Sequence, residues 1–233
     1  MSIPQLYVFA GGNGAGKSTL SEAFVPPGTT VFDGDKEIAL LKIQFPETDS
    51  SNIYNAVNGH IFDNLKEKAI NAQSDFGFET NFRVKDVMDT VNQFKQAGYE
   101  TRLIFFGLDS LQASIDRVNL RVKNGGHFVD INNITINYKN GLENLAKYYK
   151  NFDSALLLDT HSSFKLTPLI RIENGIITEQ VTELPDWAKV IPLGIQQEQQ
   201  LEQQRITEEQ QQKEHQKDQD LGRRSDRGRG IGR

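Results

Sequence analysis

The spacing of apolar positions divides this chain into strands alternating with helices. Residues 6–10 form a short unbroken apolar run, the pattern of a strand buried on both faces, and the run stops at Gly11 and Gly12. Residues 18–24 can open a helix directly afterwards. Residues 30–32 read as a second short strand ending at Asp33, and a helix beginning near Asp35 carries Ile38, Leu40 and Leu41 until Pro46 stops it. From 52 to 72 the residues Ile53, Val57, Ile61, Leu65 and Ala69 recur every fourth position, which predicts a long helix with one buried face. The run "DFGFETNF" reads as a strand ending at Glu79 or Thr80, and 84–96 as a helix closed by Gly98. "YETRLIFFGL" is the most strand-like run in the chain.

The next helix, 110–123, stops at Gly125 and Gly126, and another covers 131–151. "SALLLD" is a further buried strand closed by Asp159. Beyond it, "FKLTPLIRIENGIITEQV" holds two strand-like runs around Asn174-Gly175, the strongest short-range hairpin signal. Strands alternating with helices predict an α/β fold: a mainly parallel sheet flanked by helices, followed by a C-terminal β-hairpin. Ligands of such sheets bind at the carboxyl ends of the strands. Asp33, Asp35, Glu79, Thr80, Asp109 and Asp159 all fall at or just beyond such ends, on one rim.

Composition changes near residue 195, where a Gln-rich stretch begins and aromatic residues cease. The expected organisation is one domain over 1–194 and a tail over 195–233, helical or disordered, because its apolar residues are too sparse to bury a helix face. Residues 196–233 hold eight basic and eight acidic side chains, so the net charge of -5 belongs to the first part. That acidic balance argues against a general nucleic-acid coat. The Gly/Arg-rich end "GRRSDRGRGIGR" is of a kind that can hold nucleic acid or an anionic protein surface, although a solvated tail is the plainer reading. The chain has no Cys, which excludes disulfides and thiolate metal sites. With no basic residue before Lys17 and no long apolar run, a cytoplasmic protein without a membrane partner is expected.

The chemistry enters with "YVFAGGNGAGKSTL". Gly11, Gly16, Lys17 and Ser18 satisfy the GxxxxGK(S/T) spacing, and the context, a strand before and a helix after, is the one this loop requires. Gly11, Gly12, Asn13, Gly14, Ala15, Gly16, Lys17, Ser18 and Thr19 are therefore the expected binders of ATP: the backbone N–H groups face phosphate oxygens, Lys17 reaches the β/γ-phosphates and Ser18 ligates Mg²⁺. A kinase further needs a base for an acceptor hydroxyl and cations on the transferred group. Asp33 and Asp35 follow the second strand, where an acceptor could face the phosphates. Asp35 also suits a helix N-cap, and Asp33 could serve only the turn. Arg117 and Arg121 stand at i, i+4 on one helix face beside Gly125-Gly126, where a lid would hinge, with His127 just beyond. The plainer reading pairs these arginines with Asp116 or Asp130. Glu79 and Thr80 could orient substrate or Mg²⁺, or cap the following segment.

The order "FAGGNGAGKSTL", "FDGDKEIA", "FGFETNF", "DRVNLRVKNGGHFV" and "NYKNGLENLAKYYKNFDSALLLDT" resembles the zeta-toxin family of P-loop kinases, over about residues 4–190. The resemblance implies an ATP- and Mg²⁺-dependent kinase of the 3′-hydroxyl of the amino sugar in UDP-N-acetylglucosamine, acting as a toxin held by a small helical antitoxin. It implies Lys17 and Ser18 on ATP·Mg²⁺, and Asp35 as acceptor of the hydroxyl proton with Asp33 second. Glu79, Thr80 and His127 fall on the substrate side, and Arg117 and Arg121 supply lid charge. Two departures stand out. Ile136 and Asn137 precede Tyr138 where an Arg pair is usual, and Asp159-Thr160-His161 replaces Asp-Asn-Ser. The same motifs leave two alternatives: a kinase of another nucleotide or polynucleotide hydroxyl, and a non-catalytic ATP-dependent binding module acting through its tail.

Overall fold

In the computed structural model, which describes residues 2–126, 128–161 and 166–227, seven strands form one sheet in the order β2-β3-β1-β4-β5-β6-β7. They are β1 (Gln5–Ala10), β2 (Thr30–Phe32), β3 (Phe76–Thr80), β4 (Glu100–Gly107), β5 (Ser154–Asp159), β6 (Thr167–Glu173) and β7 (Ile176–Gln180). The first five are parallel. β6 and β7 add antiparallel edges, joined by Asn174 and Gly175 at φ 50° and 78°, the two positive values a tight hairpin turn requires. The α/β reading of the sequence is therefore the observed fold.

β1 lies centrally between β3 and β4, and so its residues are sealed on both faces: Leu6, Val8, Phe9 and Ala10 are fully buried. On one face Tyr7, Phe9, Ile104, Phe106, Leu108 and Leu158 form a cluster closed by Leu20 and Phe24. The chain reverses at the carboxyl end of β1 into the P-loop, which places that loop at the middle of the sheet's rim, with β3 on one side and β4 on the other.

The helices are α1 (Lys17–Leu20), α2 (Gly34–Gln44), α3 (Ser50–Asn55), α4 (Phe62–Ala72), α5 (Val87–Gln96), α6 (Leu111–Lys123), α7 (Ile131–Tyr148) and α8 (Val190–Arg227). Three differ from expectation. The helix expected over 18–24 is one α-turn followed by a 3-10 turn over Ser21–Phe24, because Pro26 and Pro27 disfavour helical backbone before them. The long helix over 52–72 is interrupted by a π-helical stretch, Ala56–Ile61. A stripe that repeats every four residues drifts by about 40° per step on a 3.6-residue helix, and the wider π turn offsets the drift, so that Ile53, Val57 and Ala69 are all buried. α2 buries no residue fully; Leu40 is half exposed.

By its contacts the chain divides into two compact units at Val190 and Ile191. The second is carried by α8, whose Leu201 and Ile206 are exposed and whose Arg205 pairs with Glu202 at 2.8 Å. Among the described residues no helix is long and apolar enough to cross a membrane.

Candidate functional site

The P-loop runs from Gly11 to Thr19 between β1 and α1, and two of its glycines are dictated by neighbours rather than by the turn alone. Gly11, at φ 145°, lies so close to β4 that a Cβ would stand 2.3 Å from the Phe106 carbonyl oxygen. Gly14, at φ 77°, lies against α6, where a Cβ would stand 2.9 Å from Arg117 Cβ. Ala15 points into the core beside Phe9 and Phe106. Gly16 is the N-cap position of α1, and Thr19 is exposed on its surface.

Lys17 Nζ crosses back over the loop and donates to the carbonyls of Gly11 at 2.7 Å and Gly12 at 3.2 Å, and to Asn81 Oδ1 at 3.0 Å. Dehydration of the ammonium holds its pKa below the ordinary lysine value, while Glu79, Asp35 and Asp33 favour the charged form and Arg121 opposes it. These charges therefore face one another across the rim. Glu79, near the end of β3, accepts from Ser18 Oγ at 2.7 Å and from Ser21 Oγ at 2.9 Å. Its pKa is raised, chiefly by burial and further by Asp33, against the pull of the two serine hydroxyls and Lys17. The set of hard oxygen donors, a hydroxyl and a carboxylate beside a lysine, is one that Mg²⁺ accepts when phosphate and water complete its shell. Among the described residues no group of three or more His, Cys, Asp or Glu could hold a metal by itself.

The two aspartates divide their roles differently from the sequence expectation. Asp33, not Asp35, is the N-cap of α2: its side chain accepts from Lys36 N at 3.1 Å. Asp35 lies within the first turn, exposed and clear of the capping bond. The Asp that the helix needs for its end is thus the strand-terminal one, and the acid one turn-position further on is left to the rim. Thr80 Oγ1 accepts from Phe82 N at 2.9 Å, so the hydroxyl shapes the turn after β3.

The arginine pair is split. Arg117 pairs with neither Asp116 nor Asp130; its guanidinium donates to the carbonyls of Gly14 at 3.3 Å, His161 at 2.8 Å and Thr160, and ties the P-loop to the end of β5. Asp116 accepts from Gln112, and Asp130 caps α7. Arg121, one turn further along α6, is the member whose charge reaches Lys17. Gly125, at φ 83°, ends α6 as expected. His127 lies outside the described residues. At the second departure, His161 Nδ1 meets Asp109 Oδ2 at 2.8 Å, its backbone N donates to Asp159, and Thr160 Oγ1 donates to the Gly107 carbonyl.

Several contributors were not singled out in the sequence. Asn81 follows Thr80 directly at the end of β3, so the rim argument already reaches it. Ser21 lies three residues after Ser18, the spacing that returns to the same side of a helical turn. Ser114 is a polar residue at a buried position of an otherwise apolar stripe on α6; Asn137, noted in the sequence only as a departure beside Tyr138, holds the corresponding place on α7.

A family model described as Zeta toxin matches residues 2–161, from β1 to the end of β5 and more than half of the 233 residues. The chain belongs to the zeta toxin family. Solved structures share its fold at low identity. One is a chain of the PezAT chromosomal toxin-antitoxin system of Streptococcus pneumoniae, 18% identical, with TM-score 0.55, covering 86% of this chain and 88% of that one. A kinase-like protein of Chloroflexus aurantiacus is 15% identical, with TM-score 0.55 over 72% of this chain and 91% of that one. A chain of the AvrRxo1-ORF1:-ORF2 complex with ATP is 12% identical, with TM-score 0.59 over 81% and 63%. The family membership and the P-loop together make this zeta-toxin chain an ATP-dependent phosphotransferase by class.

Proposed function

We propose that the chain transfers the γ-phosphoryl group of ATP to the 3′-hydroxyl of the amino sugar in UDP-N-acetylglucosamine. The observation that supports phosphoryl transfer is the rim at the carboxyl ends of β1, β2 and β3, where the charges of Lys17 and Glu79, with Ser18, act on those of Asp33 and Asp35; the choice of acceptor follows the zeta-toxin resemblance. In the proposal the backbone N–H groups of the P-loop and Lys17 hold the β- and γ-phosphates, and Thr19 and Gly16 begin the turn that supports them. Mg²⁺, when bound, neutralises phosphate charge; Ser18 and Glu79 are the residues that would hold it.

Asp35 then accepts the proton of the acceptor hydroxyl as its oxygen bonds to the γ-phosphorus. The bond between that phosphorus and the bridging oxygen of ADP breaks, leaving ADP and a phosphorylated acceptor. Asp33 caps the helix that carries Asp35 and so holds the base in place. Thr80 belongs to the acceptor side, Arg121 offsets charge on the transferring group, and Arg117 fixes the loop geometry on which transfer depends. Family membership supports a further part of the proposal, a helical antitoxin as protein partner.

The test is Asp35→Asn. It should bind ATP as the wild type does and lose on the order of a hundredfold or more in the rate at which UDP-N-acetylglucosamine gains the mass of one phosphoryl group. Turnover within a fewfold of wild type would remove Asp35 from the chemistry.

A further inference from the structure

Three polar side chains with no part in that reaction meet at the tip of the P-loop. Asn13 and Asn137 are each 5% exposed and Ser114 is fully buried. Ser114 Oγ, on α6, donates to the Asn13 backbone carbonyl. Asn137 Nδ2, on α7, donates to Asn13 Oδ1 at 2.7 Å. Burying polar groups costs stability unless each is paired, and Asn137 Oδ1 has no hydrogen-bond partner among the described residues. The neighbours on the two stripes are Val118 on α6, and Ile134, Gly141 and Leu145 on α7. Apolar side chains would serve packing alone at both positions, so a polar clasp here calls for another purpose.

We propose that Ser114 and Asn137 are positioning residues that set the P-loop for nucleotide phosphate by fixing the Asn13–Gly14 peptide. In a planar trans peptide the carbonyl and the following N–H point in opposite directions. With the Asn13 carbonyl pinned to Ser114, the Gly14 N–H is turned away from α6 and into the loop. The Gly14 carbonyl is also held on the α6 side, by Arg117 Nη1 at 3.3 Å, so two successive loop residues have their carbonyls drawn to one helix. Asn137 anchors the side chain of the same Asn13 from α7. The loop tip is thereby tied to both helices that flank Gly125 and Gly126. The inference rests on the reading of the loop as a nucleotide-phosphate site, and does not depend on which acceptor is phosphorylated.

The experiment is calorimetric titration of the full chain with ADP and with ATP, both with Mg²⁺, for the wild type, Ser114→Ala, Asn137→Ala and the double variant. Thermal unfolding is followed in parallel by fluorescence of Trp187, the one tryptophan of the chain. Each single variant should weaken both nucleotides about three- to tenfold, the net worth of one hydrogen bond. The double variant should weaken them by less than the product, because both changes act on Asn13. Asn137→Leu keeps the branched shape and removes the unpaired Asn137 oxygen but leaves Asn13 Oδ1 without its donor, so the two changes oppose each other in stability; it should unfold within a few degrees of the wild-type temperature and still lose affinity. Affinities within twofold of wild type in Ser114→Ala and Asn137→Leu would overturn the positioning role and leave the nucleotide reading intact. A wild type that binds neither nucleotide would overturn both.

Discussion

Glu79→Gln separates what the rim does for stability from what it does for transfer. The carboxylate accepts two hydroxyl hydrogen bonds, from Ser18 at 2.7 Å and Ser21 at 2.9 Å. Exchanging a charged for a neutral acceptor weakens each by about 1 kcal/mol. Burial opposes this loss. It is the largest influence on Glu79 and, together with the Asp33 charge, outweighs both serines and Lys17, so the ionised group is less comfortable here than in water and a neutral amide regains part of that difference. The two effects oppose each other, so the stability loss should stay below the about 2 kcal/mol that the two weakened hydrogen bonds alone would cost, or under roughly 4–8 °C in melting temperature for a domain of this size. Transfer should not be spared. Removing a charge beside the Ser18 hydroxyl, the group proposed to hold Mg²⁺, should cost about 2–4 kcal/mol of transition-state stabilisation, roughly a 30- to 1000-fold fall in turnover. The assay is kcat for ATP-dependent phosphorylation at saturating Mg²⁺, alongside calorimetric unfolding. Turnover within threefold of wild type, or a fall that merely tracks the unfolded fraction, would refute the reasoning.

Other expectations follow from the same geometry. Because the Glu79 pKa is raised, wild-type turnover should fall on the acid side as pH drops through a value above the ordinary glutamate range, and Glu79→Gln should lack that limb; a pH–rate profile of both decides it. Gly14→Ala combines a positive φ with a Cβ placed 2.9 Å from Arg117 Cβ, and should destabilise by about 1–3 kcal/mol and weaken ATP binding, read by denaturant unfolding and titration. Burial alone would raise the Asp153 pKa, yet hydrogen bonds from the N and Oγ1 of buried Thr101, with the Lys95 ammonium, hold it below the ordinary range. Its contribution is therefore present above about pH 4, the unfolded value, and lost as pH falls through the lower folded one. Asp153→Ala should cost about 1–3 kcal/mol at neutral pH and progressively less in acid.

Periodicity made the framework legible because the strands are short apolar runs bounded by glycine or acid, and the parallel order follows from their alternation with helices. β2 and β5 fall where their patterns end, at Asp33 and Asp159. The π stretch at Ala56–Ile61 was written in the four-residue repeat itself, as a drift that an unbroken α-helix could not keep buried. At the site, the P-loop spacing identified Lys17 and Ser18, but the division of labour between Asp33 and Asp35 depends on where α2 begins, a matter of one or two residues that pattern does not resolve. The contacts of the arginine pair were hidden from the sequence for a related reason. Spacing places Arg117 and Arg121 on one helix face, but the contact of Gly14 with α6 turns the first toward backbone carbonyls. Asn81 lies within reach of the strand-end argument, but its bond to Lys17 and the Asn13 clasp are contacts more than sixty residues apart in sequence, which no local window carries.

The most direct test of the central claim is transfer of label from γ-labelled ATP to UDP-N-acetylglucosamine by the full chain with Mg²⁺, run beside Lys17→Ala. The account predicts label on the sugar nucleotide with the wild type and none above background with the folded variant. Wild-type protein that binds ATP and leaves UDP-N-acetylglucosamine unlabelled would contradict the proposed acceptor, and equal labelling by Lys17→Ala would contradict the P-loop chemistry itself.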